Sequence, residues 1–179
     1  MIFKQLEDKM IGSTSLTIEN SLLNKLQIKE SVVVLAFSIL IPFLIHFIPV
    51  SGSPAGAVLL PIFIAPFIAV VFFRLNVGII AALLSPVLNY LLTGNPIYGI
   101  IGLITLELSL FVLIAWLLIK VKFLKYFAAP VGVIISMFIS QIIFSSVSHF
   151  AAVLTVGLPG IVLISLINIL IFPLAKKSK

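Results

Sequence analysis

The sequence predicts an all-α integral membrane protein, a single bundle of six transmembrane helices with both termini cytoplasmic. Three observations predict it. The chain is 62% hydrophobic and only 9% charged, whereas soluble domains carry about 25% charged residues. Its apolar residues fall into six runs of near-spanning length. All eleven of its basic residues fall on one side of a bundle built from those runs.

Residues 1–30 are polar, with four lysines and the acids Glu7, Asp8, Glu19 and Glu30. They read as a cytoplasmic tail, since the charged region is too long for a signal peptide and no small-residue cleavage site follows the first apolar run. Residues 31–175 form the membrane domain, and residues 176–179 a basic cytoplasmic end. A span needs about 20 apolar residues. The spans are placed at 32–49, 56–73, 77–93, 97–119, 128–150 and 154–175. Punctuation supports the breaks: PVSGSPAG after the first span, Gly94-Asn95-Pro96 after the third, and Gly157-Leu158-Pro159-Gly160 at the start of the sixth.

The bases orient the bundle. Lys4, Lys9, Lys25 and Lys29 precede span one, and Arg74 separates spans two and three. Lys120, Lys122 and Lys125 separate spans four and five, and Lys176, Lys177 and Lys179 follow span six. The positive-inside rule makes this side cytoplasmic. The net charge of +6 therefore reports topology and not a nucleic-acid partner. The partner it implies is the lipid bilayer.

Between Val32 and Ala175 the chain carries one acidic residue, Glu107. A carboxylate at the centre of a span costs about 2.5–3.5 kcal/mol on insertion scales, so Glu107 is the leading functional residue. It lies about ten residues down span four, roughly 15 Å at 1.5 Å per residue, near mid-bilayer. Gln141 falls near mid-bilayer in span five, with His149 near that span's outer end and His46 near the outer end of span one. Asn89 and Tyr90 lie in the outer part of span three, Asn95 flanks the following loop, and Asn168 lies in the inner half of span six. Most of these groups sit between midplane and the outer surface, as a pocket loaded from outside requires. Against that stands a structural reading, in which Glu107 bonds to Gln141, Asn168 or a serine and the amides tie helices together.

Small residues recur every four positions at Gly132, Ser136 and Ser140, at Gly78 and Ala82, and at Ala81 and Ser85. Such stripes serve close helix packing, within the bundle or against another membrane protein. There is no cysteine, hence no disulfide or thiolate chemistry. The chain has no HExxH, Walker A or Gly-x-Ser-x-Gly pattern. No metal site, cofactor or enzymatic activity is expected. Any ATP-driven action must borrow separate subunits, and six short spans suit a binding component better than a complete carrier.

The stretch from His46 to Ile119 carries a further signal. A short outer loop runs into Leu60-Pro61, with Pro66 following. Then come Ser85-Pro86-Val87-Leu88-Asn89-Tyr90-Leu91-Leu92-Thr93-Gly94-Asn95-Pro96 and a span bearing Leu106-Glu107-Leu108. These features resemble the substrate-binding S component of energy-coupling-factor vitamin transporters. The resemblance implies a six-helix bundle that captures a vitamin or related nutrient outside. It also implies a transmembrane coupling subunit and two ATPase subunits as partners, and a site in the outer half lined by loop one and spans four to six. The family docks through two alanines four apart on span one. Here Ala36 is followed by Leu40, which breaks that pattern. The alternative expectation is a solitary small-solute carrier or channel, proton-coupled through Glu107.

Overall fold

The computed structural model describes residues 25, 27–45, 55–144 and 147–177. Among these the chain is helical with no strand. The elements are α1 (Gln27–Ile45), α2 (Ala55–Leu59), α3 (Ile64–Phe72), α4 (Leu75–Thr93), α5 (Ile101–Ile119), α6 (Ala128–Phe144) and α7 (Val147–Lys177). Short 3-10 turns precede α3 (Pro61–Phe63), α5 (Tyr98–Ile100) and α6 (Leu124–Phe127). Among the described residues five helices are long and apolar enough to cross a membrane: Gln27–Ile45, Leu75–Thr93, Tyr98–Ile119, Leu124–Phe144 and His149–Ala175. Between 22% and 44% of each is buried in the protein, so most of their apolar surface faces outward, as a lipid environment requires.

The second predicted span takes another form. It is broken at Leu60, which adopts the left-handed region at φ 48° and ψ 42°. Its longest apolar piece is Pro61–Phe72. This short segment is also the most enclosed. Pro61, Phe63, Ile64, Ala65, Pro66, Phe67, Ala69 and Val70 are all buried. It packs against α4, α5 and α7, with Phe63 edge-on to Phe111 at 5.1 Å between ring centroids. Irregular backbone is tolerated at membrane depth only where protein covers it, and here protein covers it.

Two apolar clusters hold the helices together. The larger joins Phe63, Phe67, Ala82, Leu108, Phe111, Val133, Met137 and Ile164. The smaller joins Val34 of α1 to Ala65, Ala69, Val77 and Ala81. Small residues set the spacing. A Cβ on Gly78 would lie 2.6 Å from Val70 and 3.1 Å from Val112. One on Gly132 would lie 3.0 Å from the Phe111 ring. The stripes at Gly132–Ser136–Ser140 and Gly78–Ala82 are buried, so they serve packing inside the bundle.

Helix boundaries follow the punctuation in one place and depart from it in another. α4 ends where predicted, at Gly94 with φ 74°, whose N–H bonds the Tyr90 carbonyl at 2.8 Å. The Asn95–Pro96 bond after it is cis. The break between the last two spans lies earlier than predicted. α6 ends at Phe144, and α7 then runs through Gly157-Leu158-Pro159-Gly160 to Lys177. Those glycines mark close contact and not a break. A Cβ on Gly160 would lie 2.6 Å from the Leu59 carbonyl carbon, and one on Gly157 3.3 Å from Leu60. α7 therefore seats on the broken joint between α2 and α3.

Candidate functional site

Glu107 is 5% exposed on α5, and two side chains from α6 reach it. Ser140 Oγ donates to Glu107 Oε1 at 2.7 Å, and Gln141 Nε2 donates to the same oxygen at 3.4 Å. Ser140 and Gln141 are 0% and 3% exposed. Two acceptors remain. Gln141 Oε1 is buried with no partner, and Glu107 Oε2 receives no hydrogen bond among the described residues. Gly132, Ser136 and Ser140 lie one turn apart, so the face of α6 that permits close approach also delivers the hydroxyl to Glu107. Helix packing and site thus share one sequence feature.

Gln141 occupies the last turn of α6, with three residues following it before the helix ends at Phe144. Glu107 lies near the middle of the Tyr98–Ile119 helix. Their hydrogen bond brings the end of α6 level with the middle of its neighbour. Gln141, expected near mid-bilayer, is level with Glu107 yet close to a helix end, because α6 stops earlier than the predicted span.

The other predicted residues fall in different places. Asn89 is 3% exposed, and its Nδ2 donates to the Ser38 carbonyl at 2.9 Å and the Ser85 carbonyl at 2.8 Å. It ties α4 to α1. Ser85 Oγ nearby is buried with no partner. Asn168 is fully enclosed. Its Oδ1 accepts from the Ala129 N–H at 3.1 Å, and its Nδ2 donates to the Tyr126 and Lys125 carbonyls at 2.6 and 3.3 Å. It fastens the start of α6, twelve residues or roughly 18 Å of helix from Gln141, and is not brought to Glu107.

Tyr90 and Tyr98 pair at 5.9 Å between ring centroids. Both line a shallow groove of about 490 Å³ with Val87, Leu91, Gly99, Ile101 and Gly102. Glu107 and Gln141 do not line it, so the groove and the buried carboxylate are separate features. Asn95 is exposed in the loop, where its N–H donates to Thr93 Oγ1 at 3.2 Å. His149 is exposed and belongs to the first turns of α7, not to the preceding helix. His46 lies outside the described residues. Among the described residues no group of three or more His, Asp or Glu stands close enough to hold a metal ion.

Sequence reasoning chose Glu107 and Gln141 but treated Ser140 only as a packing residue. Its signal was present in the four-residue spacing from Gly132 and its place beside Gln141. Ser38 gave no signal, because it contributes a backbone carbonyl.

Comparison with protein-family models, curated proteins and solved structures finds no match. The described residues define the class: a multi-pass, helical membrane protein with a buried carboxylate cluster between α5 and α6.

Proposed function

We propose that this chain is the substrate-binding subunit of an energy-coupling-factor-type transporter. It captures a vitamin or related small nutrient outside the cytoplasmic membrane of a prokaryote. A coupling subunit and two ATPase subunits then drive uptake. The observation that carries this reading is the Glu107–Ser140–Gln141 cluster, a buried carboxylate with unspent acceptors. It lies on a segment whose prolines and Leu106-Glu107-Leu108 resemble that family.

The reading includes six passes with both termini cytoplasmic, the segment Ala55–Phe72 making the second. Charge favours six over five. With five passes, Arg74, the lysines after α5 and the C-terminal lysines would lie opposite the N-terminal lysines, against the positive-inside rule. Lys120 Nζ lies 3.1 Å from the centroid of the Trp116 ring, a pairing suited to a cytoplasmic interface.

The deciding experiment has two measurements. Mass spectrometry identifies the small molecule that co-purifies with the detergent-solubilised chain, and uptake of that molecule is measured with and without the ATPase subunits. A bound nutrient and ATP-dependent uptake are expected. The broken alanine pattern at Ala36 and Leu40 favours one other reading, a solitary carrier. Uptake that persists without ATPase subunits and follows the proton gradient selects it.

A further inference from the structure

Building on the transport reading, we infer that the nutrient enters this site through a cationic, hydrogen-bond-donating group, a protonated amine or amidine. The argument is an inventory of donors and acceptors. Glu107, Ser140 and Gln141 are all nine-tenths or more buried. The two donors of this cluster that face the carboxylate are both spent on a single atom, Glu107 Oε1. Acceptors outnumber donors among the unspent groups: the Gln141 carbonyl, buried with no partner, and the second carboxylate oxygen stand against one spare N–H of Gln141 Nε2.

Rotating the Gln141 amide does not remove the vacancy. It turns the carbonyl toward a carboxylate oxygen and leaves the NH₂ group without its acceptor. The orientation that gives Nε2 to Glu107 keeps that hydrogen bond and leaves the carbonyl open. A buried acceptor without a donor is costly, and a ligand that supplies N–H groups removes that cost.

Charge points the same way. The carboxylate has no basic partner among the described residues. Two negative groups, the carboxylate and the Gln141 carbonyl, thus lie on helices whose nearby positions Leu108, Phe111 and Met137 belong to the apolar core. A ligand carboxylate would meet like charge and a single spare N–H of Gln141. A cation with two or more N–H donors satisfies both open acceptors at once.

The test uses the full chain in lipid nanodiscs and a panel of defined probes. Thiamin and pyridoxamine carry cationic or amine groups, riboflavin is neutral, and biotin and pantothenate are anionic. Binding is read by calorimetry and by the shift in unfolding temperature. A cationic member should bind, and Glu107→Gln and Gln141→Leu should each weaken it at least tenfold. Both variants should elute from size-exclusion chromatography like the parent, which separates lost binding from lost folding. Binding of biotin, pantothenate or riboflavin that is unchanged in Glu107→Gln overturns the inference and leaves the transport reading standing. Stabilisation by sodium ion alone, with no organic cation bound, also overturns the inference. No response to any probe, with nothing co-purified, overturns the transport reading and this inference together.

Discussion

Replacing Gly160 by alanine tests the contact that seats α7 on the broken helix. The new Cβ would lie 2.6 Å from the Leu59 carbonyl carbon, 2.8 Å from its oxygen and 2.8 Å from Leu60 Cγ. Carbon atoms in contact sit about 3.5–4.0 Å apart, so the helices must separate by roughly 1 Å. Two of the three obstructing atoms are backbone, and Leu60 holds the left-handed conformation next to them. A rotamer change cannot relieve them. Overpacking of this kind costs about 1–3 kcal/mol. Alanine returns about 1 kcal/mol through its better helix propensity, and the upper half of the overpacking range applies here. The net loss is about 1–2 kcal/mol, a fall in Tm of about 2–8 °C for a chain of this size. The chain has one tryptophan, Trp116, packed against the main core, so intrinsic fluorescence on heating reports unfolding without a label. Gly157→Ala is the matched control. Its Cβ would meet the end of the Leu60 side chain at 3.3 Å, which can yield, and its Tm should stay within about 2 °C of the parent. A Gly160→Ala variant as stable as the parent, or a Gly157→Ala variant less stable than Gly160→Ala, refutes the close seating of α7 on Leu59.

Asn168→Ala should cost about 1–3 kcal/mol by leaving the buried Ala129 N–H without its acceptor, measured by thermal unfolding, with ligand preference unchanged. Asn168→Asp should cost more than the alanine, because it sets carboxylate oxygens against the Lys125 and Tyr126 carbonyls. Gln141→Leu removes a buried carbonyl that has no partner. It also removes the Nε2 bond to Glu107 at 3.4 Å, so the two effects offset: Tm should stay within about 4 °C of the parent's while binding is lost, and a larger fall would count against that carbonyl being unsatisfied. The chain contains no cysteine, so single cysteines at Lys122 and Asn95 give a clean topology test. An impermeant maleimide should label Asn95→Cys in intact cells and Lys122→Cys only after lysis, and labelling of both in intact cells excludes the six-pass orientation.

Much of this architecture could be read from the residues, for identifiable reasons. α4 and its end were legible because Gly94 supplies the left-handed cap that the chain needs there. Glu107 was legible because a lone acid in an apolar span is expensive wherever it lies. Its pairing with Gln141 was one of the alternatives open at the sequence level. The joint at Leu60 was hidden, because leucine has no preference for positive φ and is held there by its surroundings. The end of α6 was hidden for the opposite reason. Gly157-Leu158-Pro159-Gly160 carries the strongest break signal in that region, yet helices in membranes accept proline, and these glycines are present for close approach to Leu59 and Leu60. The role of Asn168 was illegible because its partners are backbone groups about 40 residues away.

The polar contacts are distributed as separate seams. Asn89 joins α4 to α1, Glu107 joins α5 to α6, and Asn168 joins α7 to the start of α6. Within a bilayer, apolar packing has no solvent to drive it and helices can slide or rotate past one another at little cost. Each seam therefore fixes the rotation and height of one helix pair through its own contacts, and two of the seams share α6. One consequence is evolutionary. Under the proposed function, the α5–α6 seam can exchange its side chains, and with them the nutrient bound, while the two remaining seams keep the bundle in alignment. A scaffold of this construction is then open to a change of specificity through substitutions confined to one pair of helices.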